Sequence, residues 1–330
     1  MSALIPNLHV AGYFLVIYLL AVVAGYFIQK QDLSWKSRLE AWLLTLTAVS
    51  ATNYVVLLEP FGFRMLALIA ALFAGMKTVV TLEDNGQERC NISFGWWLIF
   101  NLGWVGPRAK VFTEPFVAYR KETESLALRG LLWASVGGAL FYLAMLVGSG
   151  AVYVSFVSRD LLFFFLALPA LSLIFHFGLL NLLAAFWQSN RVGCQSQFNE
   201  PFLATSLSSF WGKRWNNAFS EMATSAIYRP LSPIVGTNLA AMAVFIFSGA
   251  LHELVISFPV HAGYGLPMLY FLIHGCLVVT ERKFKTWGYS VNTYPVIGWI
   301  WTAFWLILPL PILFHQPFIK RIIWPIFNMF

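Results

Sequence analysis

His252 is a residue that is expensive to keep without a use. It lies in the run Phe247-Ser248-Gly249-Ala250-Leu251-His252-Glu253, inside an apolar stretch, where an ionisable side chain is a functional candidate by default. It falls about 15 residues into that stretch, roughly 22 Å along a helix rising 1.5 Å per residue. Ser248 and Gly249, four and three residues earlier, share its face, so room beside the imidazole is expected, as in a cavity wall. A buried imidazole can be a satisfied hydrogen-bonding group, or it can move protons near neutral pH. Position alone leaves both readings open.

The second concentration of polar and aromatic residues runs from Asn199 to Phe219 and contains Phe210-Trp211-Gly212-Lys213-Arg214-Trp215-Asn216. Ser208 or Ser209 can cap a helix beginning at Phe210, and Phe210, Trp215 and Phe219 recur at near-helical spacing. An aromatic, basic, amphipathic helix is expected, and a membrane surface accounts for it as well as catalysis does. Lys213, Arg214 and Arg229 could receive phosphates or simply set topology. His176, with Asn181 close behind it, could line a cavity or make structural hydrogen bonds. Glu253 points about 100° away from its neighbour His252 on a helix of 3.6 residues per turn. His274 has no motif around it and reads as structural. The patch from Glu83 to Arg89 reads as a solvated loop.

These residues need a frame, and composition says which. Of 330 residues, 59% are hydrophobic and 11% charged, against roughly a quarter charged in an average soluble domain. Eight apolar stretches, at about 9–28, 41–58, 65–82, 126–148, 161–187, 235–257, 264–280 and 294–314, approach or exceed the roughly 18 residues needed to cross a bilayer as a helix. The first has no basic leader or small-residue cleavage site and reads as a retained span. Lys and Arg then assign sides. Lys30, Lys36 and Arg38 follow the first span; Arg89, Arg108, Lys110, Arg120 and Lys121 the third; Arg191, Lys213, Arg214 and Arg229 the fifth; Arg282, Lys283 and Lys285 the seventh. These fifteen stand against Arg64 and Arg159 in the other loops, which places the odd-numbered loops in the cytoplasm.

Two connections on that side are long, 83–125 and 188–234. The first holds the tryptophan-rich stretch Phe94–Trp104, too short to cross and expected to be re-entrant or surface-lying. The tail with Lys320 and Arg321 is expected to be re-entrant or interfacial. No repeat or flexible linker divides the chain, so residues 1–330 read as one membrane domain. The 31 Phe and 14 Trp supply interfacial rings and a greasy lining. Cys90, Cys194 and Cys276 lack metal-ligand spacing, and no metal site is expected. The net charge of +7 lies in the breaks between apolar runs, which suits membrane headgroups and not nucleic acid.

Three runs in order carry a specific resemblance: Phe198–Asn217, Tyr228-Arg229-Pro230-Leu231, and Ser248–Glu253. Together, within about 175–255, they resemble wax-synthase-like proteins, a branch of the membrane-bound O-acyltransferases. The resemblance implies an all-α, polytopic transmembrane bundle with an internal tunnel. It implies transfer of an acyl group from acyl-CoA, a co-substrate and not a bound cofactor, to the hydroxyl of a lipid acceptor: a long-chain fatty alcohol first, a sterol or terpenoid as alternatives. On it, Asn216 matches the motif asparagine and His252 the intramembrane histidine, the candidate general base. Trp211, Lys213, Arg214, Trp215, Arg229, Ser248 and His176 are the candidate substrate-binding residues. A bacterial inner membrane or the endoplasmic reticulum would suit the chain. The rivals from other classes are a transporter, for which intramembrane His and Asn would be pathway residues, and a lipid-binding scaffold without catalysis.

Overall fold

The structure, a computed structural model, describes residues 4–86, 89–152, 158–288 and 293–327. Helices account for 79% of the described residues and no strand occurs among them, in line with the all-α expectation. The α-helices are α1 (Leu8–Ile28), α2 (Trp35–Val55), α3 (Phe61–Asn85), α4 (Phe94–Gly103), α5 (Arg120–Gly148), α6 (Arg159–Ser172), α7 (Leu180–Ser189), α8 (Leu207–Ser209), α9 (Asn217–Ala223), α10 (Arg229–Val235), α11 (Thr237–His252), α12 (Phe258–Val260), α13 (Leu266–Thr286), α14 (Pro295–Ile307), α15 (Leu310–Leu313), α16 (Gln316–Phe318) and α17 (Trp324–Phe327).

All eight expected apolar stretches are helical. Among the described residues, six helical segments, Leu8–Ile28, Phe61–Asn85, Arg120–Gly148, Arg159–Ser189, Thr237–Val260 and Pro295–Leu313, are long and apolar enough to cross a membrane. The protein is therefore an integral membrane protein. The other two, α2 and α13, have 21 residues each, about 31 Å. They carry more polar side chains, such as Glu40, Thr45 and Asn53 in one and Glu281 to Lys283 in the other.

The described chain divides into two compact units. One comprises Leu4–Ala109 and Asn199–Phe318. Its helices α2 and α3 meet along small residues: Ala41, Thr45, Ala48 and Thr52 are buried at helical spacing. A Cβ at Gly75 would lie 2.5 Å from Thr45 Oγ1 and 2.7 Å from its Cα, so glycine is what lets the two backbones touch. Lipid gives helices no hydrophobic reason to associate, and close backbone packing of this kind supplies the attraction.

Ten-residue α4 is about 15 Å long, too short to cross, as expected. Lys77 of α3, buried, ties it down by donating to the carbonyls of Phe100 at 2.7 Å and Asn101 at 3.3 Å and to that of Trp104. These are the orphan acceptors at the end of α4, where a cation is favoured. Arg64, expected in a loop, is instead a buried residue of the first turn of α3. Its guanidinium donates to Pro259 O at 3.3 Å and Asn53 Oδ1 at 2.9 Å, and also meets His261.

The Glu83 to Arg89 patch is likewise no free loop over its first half. Glu83, Asp84 and Asn85 complete α3, and Arg38 holds the mostly buried Glu83 carboxylate at 2.6 Å and 2.9 Å. Opposite charges offset the cost of that burial. Gln87 and Glu88 lie outside the described residues.

The other unit comprises Lys110–Phe198 and the chain from Ile319 onward. A π-helical stretch, Leu173–Leu179, joins α6 to α7. In the C-terminal segment Phe327 stacks on Phe141 with ring centroids 4.1 Å apart, and Trp324 lies 4.3 Å from Phe163. The π-helical Ile319–Ile323 runs into α17, and together they are shorter than the roughly 18 residues a crossing needs.

Candidate active site

The segment from Asn199 to Asn216 folds back on itself as a loop. The Asn199 amide donates to Arg214 O at 2.8 Å. Arg214 closes the base with its side chain, donating to Asn199 O at 3.3 Å, Glu200 O at 3.0 Å and Ser209 Oγ at 3.4 Å. Its guanidinium is thus occupied within the loop, while Lys213 stands exposed.

The single helix expected from Phe210 to Phe219 does not form. Ser206, and not Ser208 or Ser209, caps α8, accepting from Ser209 N at 3.1 Å. A π-helical turn, Phe210–Arg214, follows, with Trp215 stacked on Phe210 at 5.5 Å. Asn216 then adopts the left-handed region at φ 46° and breaks the helix. Asparagine is one of the few non-glycine residues that visit that region readily. From there it caps α9, its Oδ1 accepting from Phe219 N at 3.1 Å. With Oδ1 committed to the cap, Nδ2 of Asn216 is the part of the side chain left to donate outward.

Glu281 of α13 docks this loop. Its Oε1 accepts from Leu207 N at 2.9 Å and Trp301 Nε1 at 3.0 Å; its Oε2 accepts from Ser208 N and Ser208 Oγ, both at 2.8 Å. A buried carboxylate is tolerable when hydrogen bonds fill its lone pairs.

Farther along, Trp211 reaches the same helix. Its indole N–H donates to His274 Nδ1 at 3.1 Å, and its ring is surrounded by Phe245, Tyr270, Phe271 and His274, with centroids 5.3–6.5 Å away. The Trp211 carbonyl accepts from Ser220 Oγ at 2.6 Å. The motif loop, α9 and α13 therefore meet at Trp211.

His252 closes α11, just before the π-helical stretch Glu253–Ser257. Its Nδ1 lies 2.7 Å from Ser248 O. A carbonyl only accepts, so Nδ1 carries the proton and Nε2 keeps its lone pair. The ring packs at 4.3 Å on Phe271, which also touches Trp211. The space expected beside Gly249 is filled by α13, since a Cβ there would lie 2.7 Å from Met268 Sδ and 3.0 Å from its Cα. Gly249 serves close helix packing. Ser248 is buried and acts through its carbonyl. Glu253 turns to the same neighbour, its Oε1 accepting from Met268 N at 3.1 Å.

Arg229 begins α10 and lies 3.8 Å from Asp84 Oδ1, which also accepts from Ser225 Oγ at 3.1 Å. Together with Leu33, Arg38, Glu83, Gly86, Ser225 and Pro230, Arg229 lines a cavity of about 210 Å³. Neither Asn216 nor His252 lines it. Nearby, Glu221 of α9 pairs with Arg108 at 3.3 Å. Burial holds its carboxyl above the usual carboxylate range, with Arg108 pulling it down and Asp84 pushing it up. His176 belongs to the other unit, where its Nδ1 lies 3.1 Å from Ser172 Oγ and its ring 5.2 Å from Phe198.

Of the candidates, Trp211, Lys213, Arg214, Trp215 and Asn216 share one loop, and Trp211 meets His252 through Phe271. Sequence reasoning left out Glu281 and read His274 as structural, and both hold that loop. A signal existed: His274 is an ionisable group in a stretch taken as a span and Glu281 is the first residue past it, and the buried residues Tyr270, His274, Val278 and Glu281 recur at spacings of four, four and three along α13.

Comparison with known proteins bears out the resemblance read from the sequence. The pattern of the Membrane bound O-acyl transferase family matches residues 194–273, a stretch that includes Trp211, Asn216, Arg229 and His252 and ends one residue before His274. The chain is 33% identical over 138 residues to Probable long-chain-alcohol O-fatty-acyltransferase 7 of Arabidopsis thaliana, covering 36% of this chain and 41% of that protein. It is 31% identical over 179 residues to Probable long-chain-alcohol O-fatty-acyltransferase 6 of the same plant, covering 48% and 51%. An Acyl-CoA--sterol O-acyltransferase 1, also from Arabidopsis thaliana, is 34% identical over 131 residues, covering 35% and 38%. The chain thus matches about half or less of the length of these relatives.

Proposed function

We propose that this protein is a membrane-bound O-acyltransferase that moves an acyl group from acyl-CoA to the hydroxyl of a lipid acceptor, a long-chain fatty alcohol first among them. The observation that carries the reading is the hydrogen bond from His252 Nδ1 to Ser248 O. It supports a base with its free lone pair on Nε2, inside a segment matched to this family.

An alcohol is a weak nucleophile until a base takes its proton, and a neutral imidazole with a lone pair on one ring nitrogen suits that task. His252 Nε2 accepts the hydroxyl proton as the alcohol oxygen attacks the thioester carbon. The carbon–sulfur bond then breaks, and the departing CoA thiolate recovers the proton from the imidazolium. Ester and free CoA result, with no acyl-enzyme. Asn216 Nδ2 is the side-chain donor assigned to a substrate oxygen. Trp211, Trp215 and Ser248 shape the site around these two.

Topology fits the two substrates. With the odd-numbered loops in the cytoplasm, the Asn199–Asn216 loop faces soluble acyl-CoA, and Lys213 and Arg229 can meet its phosphates. His252 lies deeper, where a lipid alcohol dissolves, and a tunnel between the two levels would join the substrates. A bacterial inner membrane or the endoplasmic reticulum suits this arrangement.

The test uses purified full-length protein in detergent or liposomes, given labelled long-chain acyl-CoA and a panel of fatty alcohols, sterols, diacylglycerol and terpenoid alcohols. Ester formation with a fatty alcohol, abolished by His252→Ala, is expected. Preference for a sterol would move the acceptor assignment. No ester with any acceptor, alongside solute flux without CoA, would overturn the reading in favour of a transporter.

A further inference from the structure

His274 is among the most deeply buried side chains of the described chain, with 0% of its surface exposed. Its two ring nitrogens are in different situations. Nδ1 faces the indole N–H of Trp211 at 3.1 Å, and an indole N–H can only donate. Nδ1 must therefore hold a lone pair, and the proton of the neutral ring sits on Nε2. That Nε2 is buried and has no hydrogen-bond partner among the described residues. Leaving a buried donor unsatisfied is costly, and accepting from Trp211 needs only Nδ1, so that structural bond leaves the second nitrogen unexplained.

His252 shows the opposite arrangement, with Nδ1–H held by Ser248 O and the lone pair on Nε2. The two rings adjoin one aromatic wall. Phe271 packs on His252 at 4.3 Å and on Trp211 at 5.6 Å, and Trp211 in turn packs on His274 at 5.3 Å. Phe271 and His274 are three residues apart on the buried face of α13. One histidine thus offers an acceptor and the other a donor. Addition of a hydroxyl to a carbonyl calls for that combination: a base for the proton, and a fixed donor for the oxygen that gains charge.

We infer that His274 is a catalytic residue of the proposed acyl transfer, its Nε2–H donating to the thioester carbonyl oxygen while His252 Nε2 takes the acceptor's proton. The inference rests on the acyl-transfer reading. As the new carbon–oxygen bond forms, the carbonyl π pair moves onto oxygen and is met by the His274 N–H. When the carbon–sulfur bond breaks, the pair returns to re-form the carbonyl. His274 keeps its proton throughout. Trp211 is the positioning residue, because its N–H selects the tautomer that donates.

The experiment compares wild type, His274→Phe, His274→Gln and Trp211→Phe as full-length protein in nanodiscs, with long-chain acyl-CoA and a fatty alcohol. Removing one such donor lowers kcat by about 10²–10³-fold, so His274→Phe should show that loss with KM for acyl-CoA nearly unchanged. His274→Gln places an amide N–H near the position of Nε2 and should recover roughly tenfold or more of it. Trp211→Phe should fall between wild type and His274→Phe. Nitrogen-15 NMR of histidine-labelled wild type, assigned with the His274→Gln and His252→Ala variants, should find the proton on Nε2 of His274 and on Nδ1 of His252.

A folded His274→Phe protein with near-wild-type kcat would overturn the inference while leaving acyl transfer intact. So would a His274→Gln protein no more active than His274→Phe, or a proton on Nδ1 of His274. If His274→Phe does not fold, the glutamine variant, compared with wild type, and the tautomer measurement decide. A wild-type protein that makes no ester refutes the acyl-transfer reading itself and this inference with it.

Discussion

Replacing Glu281 with glutamine should undock the loop that carries Trp211 and Asn216. The carboxylate takes four hydrogen bonds, two on each oxygen, from Leu207 N, Trp301 Nε1, Ser208 N and Ser208 Oγ. In Glu281→Gln one oxygen becomes an NH2 group. The less costly orientation sets that group against Ser208, whose hydroxyl can turn and accept but whose backbone N–H cannot. One buried N–H left unsatisfied costs about 1–3 kcal/mol, and the surviving bonds drop from charge-assisted to neutral strength, roughly 1 kcal/mol each. The sum is about 3 kcal/mol or more, on the order of a 100-fold shift in the local docking equilibrium. Neutralising the carboxylate also relieves its desolvation, so the melting temperature is the weaker readout. The decisive assay is hydrogen exchange of residues 199–219, read beside the rate of ester formation. Both should change together. A Glu281→Gln protein with wild-type protection of that segment and wild-type turnover would refute the assignment of Glu281 as the loop's anchor.

Asn216 should separate conformation from chemistry. Glycine accepts φ 46° and costs only a few tenths of a kcal/mol at a cap, whereas alanine loses about 1 kcal/mol of capping and adds roughly 1–2 kcal/mol of left-handed strain. Asn216→Gly should therefore melt near wild type yet lose about 10²-fold in turnover if Nδ2 donates to substrate, and Asn216→Ala should lose both; equal turnover in Asn216→Gly and wild type would remove the amide from the mechanism. Glu221 governs a pH effect of defined sign. Its carboxyl is raised in the fold, chiefly by burial, so its stabilising contribution is complete below the unfolded value of about 4.3 and is lost as pH rises through the raised folded value. Glu221→Gln should flatten that part of the melting-temperature profile, measured across mildly acid to neutral pH, and an unchanged slope would exclude Glu221 as its source.

Much of the frame was legible because a bilayer imposes a simple rule: a spanning segment must satisfy its own backbone and show apolar side chains over about 20 residues. That rule found all eight long helical stretches and set the ten-residue α4 apart. His252 was legible by the same logic, as a polar exception in an apolar run. Asn216 was not marked by cost, since it lies in a polar connection, and only the resemblance singled it out.

Local rules failed between Asn199 and Phe219. The near-helical recurrence of Phe210, Trp215 and Phe219 pointed to one helix, but Ser206 caps the first turn, the chain widens into a π turn, and Asn216 turns left-handed to start α9. Helix propensity over so few residues is weak, and contacts with α13 outweigh it. Gly249 was read as space, and α13 fills the space.

By itself, then, the amino-acid sequence determined that the chain lives in a membrane, roughly which stretches form its long apolar helices, and that His252 is a polar residue in need of a partner. Tertiary structure decided what those partners are: Ser248 O for His252, Trp211 for His274, Glu281 for the motif loop. The reason is physical. Span and polarity are sums over neighbouring residues, whereas which nitrogen of an imidazole carries the proton depends on an atom brought from elsewhere in the chain, 63 residues away in the case of His274 and Trp211.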